Sequence, residues 1–256
     1  MNPFDNIFSL SGKTALIAGA SRGIGWAIAQ ALAAQGARTI LAARSIDKLE
    51  AHAKELPDSQ ALHLDLTSSE SIRAAAAASG NVDILVNVSG TNIRKRFEEF
   101  TREEYDRILQ TNLHGIFELT QLIGAKMIGR GQGGKIINIG SLMSLLGLPY
   151  LTVYAISKGG IGQFTKSLAA EWGRYNIQVN CIAPGFIITD LNRAMWQPPE
   201  MEAWLRRSQA NPRLGRPEDV APLAAFLASR AADYITGQII AVDGGYSTTA
   251  VWPFEP

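Results

Sequence analysis

Short apolar runs alternate with amphipathic segments along almost all of this 256-residue chain. Several of the runs are continuously apolar, as is typical of strands that are covered on both faces. Strands of this kind, each followed by a helix-like segment, predict a parallel sheet with helices on both sides. The expected fold is therefore α/β: a single doubly wound (Rossmann) domain with a seven-stranded parallel sheet.

The same pattern gives approximate bounds for the elements. The predicted strands are Thr14–Ala18, Ala37–Ala42, Ala61–Asp65, Ile84–Asn87, Lys135–Ile139, Ile177–Ile182 and Gln238–Val242. The predicted helices include Trp26–Gln35, Ile46–Glu55, Tyr105–Ile128, Val153–Tyr175 and Pro217–Ala228. After the sixth strand, a segment at about 190–215 interrupts the alternation with two tryptophans and several prolines. Because long insertions at the carboxyl end of a strand often cover a ligand, we expect a substrate lid here, with a helical excursion packed on the surface as the alternative.

Composition argues against several classes of protein. The net charge of +1 disfavours a nucleic-acid partner, and no apolar run reaches the roughly 18 residues of a membrane span. The N-terminal residues lack the pattern of a signal peptide. The single cysteine, Cys181, cannot form an internal disulfide and suits a reducing, cytoplasmic environment. The histidines, His52, His63 and His114, are scattered without metal-ligand spacing, so no metal site is expected.

A glycine-rich loop, GASRGIG, follows the first predicted strand and precedes a helix. Its three glycines permit a tight turn, a close approach of backbone amides to a pyrophosphate, and close packing of the helix on the strand. The helix N-terminus then presents unpaired N–H groups and a positive dipole to the phosphates. This arrangement predicts a dinucleotide site whose loop residues are Gly19, Ser21, Arg22, Gly23, Ile24 and Gly25.

The residue at the end of the second strand indicates whether a dinucleotide site prefers NAD or NADP. An acidic residue there binds the ribose hydroxyls of NAD, whereas a nearby arginine accommodates the 2′-phosphate of NADP. Here Ala43 stands at the acidic position, Arg44 follows it, and Arg22 lies in the glycine loop. We expect NADP(H) to be preferred, with NAD(H) possible if both arginines are only solvated. After the third strand, Asp65, beside Leu66, is placed to accept from the adenine amino group.

The stretch from Ser141 to Lys158 carries candidate groups for proton transfer. Tyr154 and Lys158 are four positions apart, so on a helix they share a face. A free phenol has a pKa of about 10, and a nearby cation lowers it. Ser141 could hold the oxygen of a carbonyl or alcohol beside the phenol. The hypothesis is general acid/base chemistry on that oxygen, although tyrosine and lysine also occur at this spacing by chance.

These motifs, in this order, make the chain resemble the short-chain dehydrogenase/reductase family from Gly12 to Tyr246. The matching residues are Gly19, Gly23, Gly25, Asp65, Asn87, Gly90, Asn112, Ser141, Tyr154, Lys158, Pro184, Gly185 and Thr189, with Val242–Gly245 at the last strand. The chain departs from the family at Ala18, where threonine is frequent, and at Val88-Ser89, where Asn-Ala is frequent. We expect both departures to alter local hydrogen bonds rather than activity.

The resemblance implies an oxidoreductase that interconverts a ketone and a secondary alcohol, with specific roles for the matching residues. Tyr154 would exchange a proton with the substrate oxygen, while Ser141 orients the substrate. Lys158 would lower the phenol pKa and bind the nicotinamide ribose, and Asn112 would help to hold a water that links Lys158 to solvent. Further cofactor contacts would come from Asn87, Gly90, Pro184, Gly185, Ile187 and Thr189. The resemblance also implies a homotetramer that pairs the Tyr–Lys helix and the last strand. The tail residues Trp252 and Phe254 could pack on a neighbouring subunit or cover the core of their own chain.

The substrate is defined less closely. Arg94, which precedes Lys95 and Arg96, can reach the active-site mouth, where a cation suits an anionic substrate such as a sugar acid; a solvated loop is the alternative. Trp196, in the expected lid, is a second candidate for substrate contact. The segments NIGSLMSLLG and EWGRYNIQVN most resemble the gluconate 5-dehydrogenase-like branch of the family. A 3-oxoacyl-carrier-protein reductase is the alternative within the family. A non-catalytic nucleotide-binding regulator is the alternative outside it, and it predicts damage to motifs that are intact here.

Overall fold

Seven parallel strands form one central sheet in a computed structural model that describes residue 2, residues 4–190 and residues 192–248. The strands are β1 (Thr14–Ala18), β2 (Arg38–Ala43), β3 (Ser59–His63), β4 (Ile84–Asn87), β5 (Gly134–Ile139), β6 (Ile177–Pro184) and β7 (Ile239–Val242). Their order across the sheet is β3-β2-β1-β4-β5-β6-β7. The predicted fold class and the predicted sheet are confirmed. The tail residues Trp252 and Phe254 lie outside the described residues.

Helices cover both faces of this sheet and follow the strands in chain order. They are α1 (Gly23–Ala34), α2 (Ile46–Glu55), α3 (Ser69–Ala78), α4 (Arg102–Leu109), α5 (Gly115–Arg130), α6 (Thr152–Trp172), α7 (Pro199–Ser208) and α8 (Pro217–Ala228). Successive strand residues face opposite sides, so Ile17 packs in the core layer beneath α1 and α8. Its neighbour Leu16 packs in the layer beneath α3, α5 and α6. In the part of the chain that the structure describes, no helix is both long enough and apolar enough to cross a membrane.

The predicted helix Tyr105–Ile128 is not continuous. A π-helical segment, Gln110–His114, separates α4 from α5. Gly115 begins α5, and an added Cβ there would collide with the Leu66 carbonyl, so the chain runs close against the loop after β3 at this point. The widened turn brings Asn112 into the interior, where its side chain is completely buried. Segments of this kind are frequent at functional sites, and the apolar periodicity of the sequence did not reveal this one.

The carboxyl ends of the strands meet along one edge of the sheet. The order reverses where β1 lies between β2 and β4, and a crevice at such a switch point is where doubly wound folds bind ligands. The glycine loop after β1, the loops after β4 and β5, and the segment after β6 all open onto this edge. The last of these segments begins and ends at a backbone bridge between Ile187 and Gly215. It contains a short 3-10 helix, Arg193–Trp196, followed by α7.

Candidate active site

The glycine loop leaves its helix N-terminus available for an anion. Gly19 has φ of +108°, and an added Cβ would lie 2.8 Å from the Ser89 nitrogen, so only glycine fits this turn. Arg22 occupies the N-cap position of α1 without a side-chain capping bond, and the first turn carries no acidic residue. On the far side of the loop, an added Cβ on Gly23 would touch the Thr189 methyl group at 3.4 Å. The uncapped N–H groups at this end of α1 fit the pyrophosphate of a dinucleotide.

The loop after β2 carries the exposed Arg44, as the NADP hypothesis requires. Arg44 also lies close enough to Asp65 for its charge to lower the pKa of that carboxyl. Burial alone would raise the pKa of Asp65. Hydrogen bonds from the Thr67 backbone and hydroxyl, at 2.9 and 2.8 Å, outweigh burial and hold the pKa below its usual value. Asp65 therefore helps to fix its own turn, and Leu66 beside it is buried.

Tyr154 and Ser141 lie together, as the sequence predicts. Ser141 follows β5, Tyr154 lies in the first turn of α6, and their side chains are hydrogen-bonded. The expected lowering of the Tyr154 pKa is not observed. Burial raises the pKa of the phenol, and the Ser141 hydrogen bond together with the charge of Arg94 only partly offsets it. The phenol is therefore held in its protonated form, which is the form that donates a proton.

Lys158 is buried one turn below Tyr154. Its Nζ lies 5.9 Å from the Tyr154 ring centroid and donates to the Ile139 carbonyl at 2.7 Å. Burial lowers its pKa to about 8. Burial therefore disfavours the charged form of both side chains, the phenolate of Tyr154 and the ammonium of Lys158.

The buried ammonium of Lys158 should limit the stability of the fold. At pH 7 a pKa lowered from 10.5 to about 8 corresponds to a cost of about 3 kcal/mol. Lys158→Met removes that cost but leaves the Ile139 carbonyl without its donor, so a net gain of about 1–2 kcal/mol, or about 2–8 °C in melting temperature, is expected. Between pH 8 and 10.5 the unfolded chain binds the extra proton, so wild-type stability rises with pH and the advantage of the variant shrinks.

Thermal melts of both proteins at pH 7 and pH 10 would measure this difference. Lys166→Met, at an exposed position of the same helix, is the matched control and should change the melting temperature little. A gain that is equal at the two pH values would contradict a charge effect.

Asn112 is held rigidly next to the lysine. Its Oδ1 accepts from the Thr91 N–H at 2.7 Å, and its Nδ2 donates to the Thr91 carbonyl at 2.9 Å and to the Ser157 hydroxyl at 3.0 Å. An added Cβ on Gly90 would lie 3.5 Å from Lys158 Nζ and 3.6 Å from Asn112 Oδ1. These two polar atoms therefore border the same small space beside Gly90.

Hydrogen bonds between buried polar side chains link β4, the strand that precedes this space, to its neighbours. Asn87 donates to the Thr120 hydroxyl at 3.0 Å and to Asn138 Oδ1 at 2.8 Å, and Asn138 donates to the Thr165 hydroxyl at 2.9 Å. The Asn87 Oδ1 atom is buried without a hydrogen-bond partner among the described residues. Asn87 thus serves as an internal link between β4, β5 and α5.

A cavity of about 170 Å³ opens beside Ser141 and Tyr154. It is smaller than the range of about 300–1,000 Å³ typical of sites for drug-sized ligands, so it suits a small substrate. Its walls include the predicted residues Arg94, Ser141, Tyr154, Pro184, Gly185, Ile187 and Trp196. The indole Nε1 of Trp196 is buried and lacks a partner among the described residues. The four residues expected to contact the substrate, Arg94, Ser141, Tyr154 and Trp196, therefore line one cavity.

Of the three neighbouring cations, only Arg94 lines this cavity. Lys95 instead forms an ion pair with Glu104 at 3.0 Å, and Arg96 lies at the start of a short 3-10 turn. No ion pair involves Arg94 in the described ranges, although its charge acts on Tyr154. Arg94 is thus an exposed cation on the cavity wall that has no ion pair among the described residues.

Several site residues were not predicted. Ser157 is buried between Asn112 and the Tyr154 carbonyl, to which it donates at 2.7 Å. Ser144 donates to the Lys158 carbonyl at 2.7 Å and thereby ties the loop after β5 to α6. Phe186 lines the cavity and meets Trp196, Trp204 and Tyr246 edge to face. The position of Ser157 between Tyr154 and Lys158 was the only sequence signal for any of them.

Comparisons with known proteins identify similar sequences and a similar fold. A family model described as enoyl-(acyl carrier protein) reductase matches residues 19–247. The gluconate 5-dehydrogenase of Gluconobacter oxydans (strain 621H) is 36% identical, over 95% of this chain and 98% of the relative. The 2-dehydro-3-deoxy-D-gluconate 5-dehydrogenase of Bacillus subtilis (strain 168) is 40% identical, over 96% of this chain and 99% of the relative. A solved gluconate 5-dehydrogenase from Burkholderia cenocepacia J2315, in complex with NADP and tartrate, superimposes with a TM-score of 0.91 at 35% identity and covers 96% and 99% of the two chains.

Proposed function

Because this chain belongs to the short-chain dehydrogenase/reductase family, we propose that it uses NADP(H) to interconvert a keto sugar acid, or a related polar ketone, and its secondary alcohol. The observation that carries this proposal is that Arg94, which forms no ion pair among the described residues, lines the same small cavity as Ser141 and Tyr154. The names of the relatives, and the tartrate bound to one of them, support an anionic, hydroxylated substrate.

The cofactor would be held by the residues of the switch-point crevice. Arg44 and Arg22 would meet the 2′-phosphate, the glycine loop would hold the pyrophosphate, and the segment from Pro184 to Thr189 would hold the nicotinamide end. When bound, the nicotinamide supplies or accepts the hydride. The NADP bound to a structural relative supports the choice of cofactor.

Tyr154 performs the proton transfer in this proposal. During reduction, its buried, protonated phenol donates to the substrate oxygen that Ser141 positions, and during oxidation the proton returns. Burial, which raises the phenol pKa, favours the donor role. The nearby Lys158 ammonium stabilises the phenolate that forms, because unlike charges attract strongly in a dry site. Asn112 supports the supply of protons by orienting a water near Lys158.

Arg94 would recognise the substrate carboxylate from the rim of the cavity. An arginine and a carboxylate form two parallel charge-assisted hydrogen bonds, so the pair fixes orientation as well as affinity. Such a pair would hold one end of the substrate and leave its ketone carbon to meet Ser141 and Tyr154. The segment at about 190–215 would act as a lid that brings Trp196 over the bound molecule.

Assembly and location complete the proposal. We place the protein in the cytoplasm as a homotetramer, on the basis of the single buried Cys181 and the habit of the family. Sedimentation of the purified chain would measure the number of subunits.

An assay with two substrates, one variant and one control variant tests the proposed function. Purified protein should consume NADPH with 5-ketogluconate and should not with an acetoacetyl thioester, the substrate type of a 3-oxoacyl-carrier-protein reductase. Arg94→Ala should raise the KM for 5-ketogluconate about tenfold to a hundredfold, as expected for loss of a charge-assisted pair. Arg96→Ala, which removes a cation outside the cavity wall, is the control.

Three results would count against the assignment. Turnover of the thioester alone would favour the reductase of fatty-acid type. Equal KM values for wild type and Arg94→Ala would remove Arg94 from the substrate site. Tight NADPH binding without turnover of any carbonyl compound would favour a nucleotide-binding regulator.

A further inference from the structure

Trp26 and His52 stack face to face beside the glycine loop. Their ring centroids are 3.9 Å apart, and their planes differ by 13°. Trp26 lies in the first turn of α1, directly after the pyrophosphate-binding loop, and His52 lies on α2, which begins just after Arg44. The stack therefore connects the helices that follow the two loops expected to bind phosphate.

His52 also contacts the glycine loop itself. Its Nε2 lies 3.4 Å from the Ser21 carbonyl oxygen. A carbonyl can only accept, so Nε2 carries the hydrogen in this contact. The other ring nitrogen, Nδ1, lies 3.5 Å from the Glu55 carboxylate. His52 thus holds the peptide that precedes Arg22, at the point where the loop becomes helix α1.

The location of the stack indicates more than core packing. The His52 side chain is 23% exposed, so it lies at the rim of the fold. Trp26 of α1 and Ile46, the first residue of α2, both pack against the core layer that lies beneath α1 and α8. The two rings therefore extend the core toward the crevice and bridge the bases of the two loops.

We propose that Trp26 and His52 form a brace that sets the spacing between the glycine loop and the Arg44 loop and thereby favours NADP(H) over NAD(H). This inference rests on the proposed use of NADP(H). NADP places phosphate groups on both loops at once, whereas NAD engages only the glycine loop with phosphate. A fixed spacing lowers the ordering cost for a ligand that must meet both loops. His52 is a positioning residue in this scheme and touches neither substrate nor reacting atoms.

Equilibrium binding of NADP⁺ and NAD⁺ to the purified protein tests the brace. His52→Ala should raise the Kd of NADP⁺ about tenfold, because the cost of ordering the two loops would then fall on the binding step. The Kd of NAD⁺ should change much less, and kcat at saturating NADPH should remain near that of wild type. His52→Gln, which retains a donor for the Ser21 carbonyl, should recover part of the NADP⁺ affinity. Lys54→Ala, at an exposed position of the same helix, is the matched control.

A second measurement needs no cofactor. Hydrogen–deuterium exchange of amides 20–25 should be faster in His52→Ala than in wild type, while exchange in the α6 core stays the same. Unchanged exchange, or equal loss of affinity for both dinucleotides, would overturn the brace. If wild type binds NAD⁺ as tightly as NADP⁺, the proposed cofactor preference is wrong. The exchange rates of amides 20–25 then show by themselves whether the two rings position the glycine loop.

Discussion

Tyr154→Phe should lower kcat by about a thousandfold while leaving the Kd of NADP⁺ within about threefold of wild type, since a general acid–base contributes on the order of 10²–10⁴ to a rate. The substitution removes only the hydroxyl that Ser141 contacts and that would face the substrate oxygen. The ring remains packed against its neighbours in the cavity wall, so the fold and the cofactor site should persist. Steady-state kinetics and a cofactor titration on the same preparation separate the two effects.

Tyr150→Phe provides the matched control. This tyrosine lies four residues earlier, is 57% exposed, and does not line the cavity. Removing its hydroxyl should leave kcat unchanged. Full activity of Tyr154→Phe would show that another group donates the proton, and the mechanism proposed above would then be wrong.

Arg44→Asp should change the ratio of kcat/KM for NADPH to that for NADH by about a thousandfold. Loss of a charge-assisted contact to the 2′-phosphate, together with repulsion, should weaken NADP(H) by about a hundredfold. The new carboxylate can accept from the ribose hydroxyls of NAD(H), which should improve its use about tenfold. Kinetics with both dinucleotides at fixed substrate measure the ratio.

The neighbouring Asp65 sharpens this experiment. It already places a carboxylate near Arg44, so the variant would have two acids there and would keep only Arg22 of the two expected cations. Lys54→Asp makes the same change of charge at an exposed position on the far turn of α2 and should leave the ratio unaltered. A ratio that moves equally in both variants would indicate a general electrostatic effect and not recognition of the 2′-phosphate.

Sequence patterns predicted the sheet well because burial on both faces leaves a strong signal. β4 and β6 are buried at every position, and both appear in the chain as short runs of mainly apolar residues. The π-helical turn at Gln110–His114 left no such signal. It depends on a tertiary contact, the approach of Gly115 to the loop after β3, which local periodicity does not contain.

The site could be predicted as a set of residues but not as an electrostatic environment. The spacing of Tyr154 and Lys158 placed them on one helix face, and the structure has them there. Spacing gives no information on desolvation, and burial raises the pKa of Tyr154 instead of lowering it. Similarly, three adjacent cations looked alike in sequence, and only the path of the backbone shows that Lys95 meets Glu104 while Arg94 lines the cavity.

The backbone bridge between Ile187 and Gly215 determines how freely the segment between them can change in length and sequence. The Ile188 N–H donates to the Gly215 carbonyl at 2.8 Å, and the Gly215 N–H donates to the Phe186 carbonyl at 2.9 Å. The bridge closes the intervening segment at its base, so changes of length or sequence within it are insulated from the register of the sheet. The entropic cost of closing a loop depends only weakly on the number of residues that the loop contains. We therefore expect that a segment of another length or sequence can replace this one without altering the fold of the sheet.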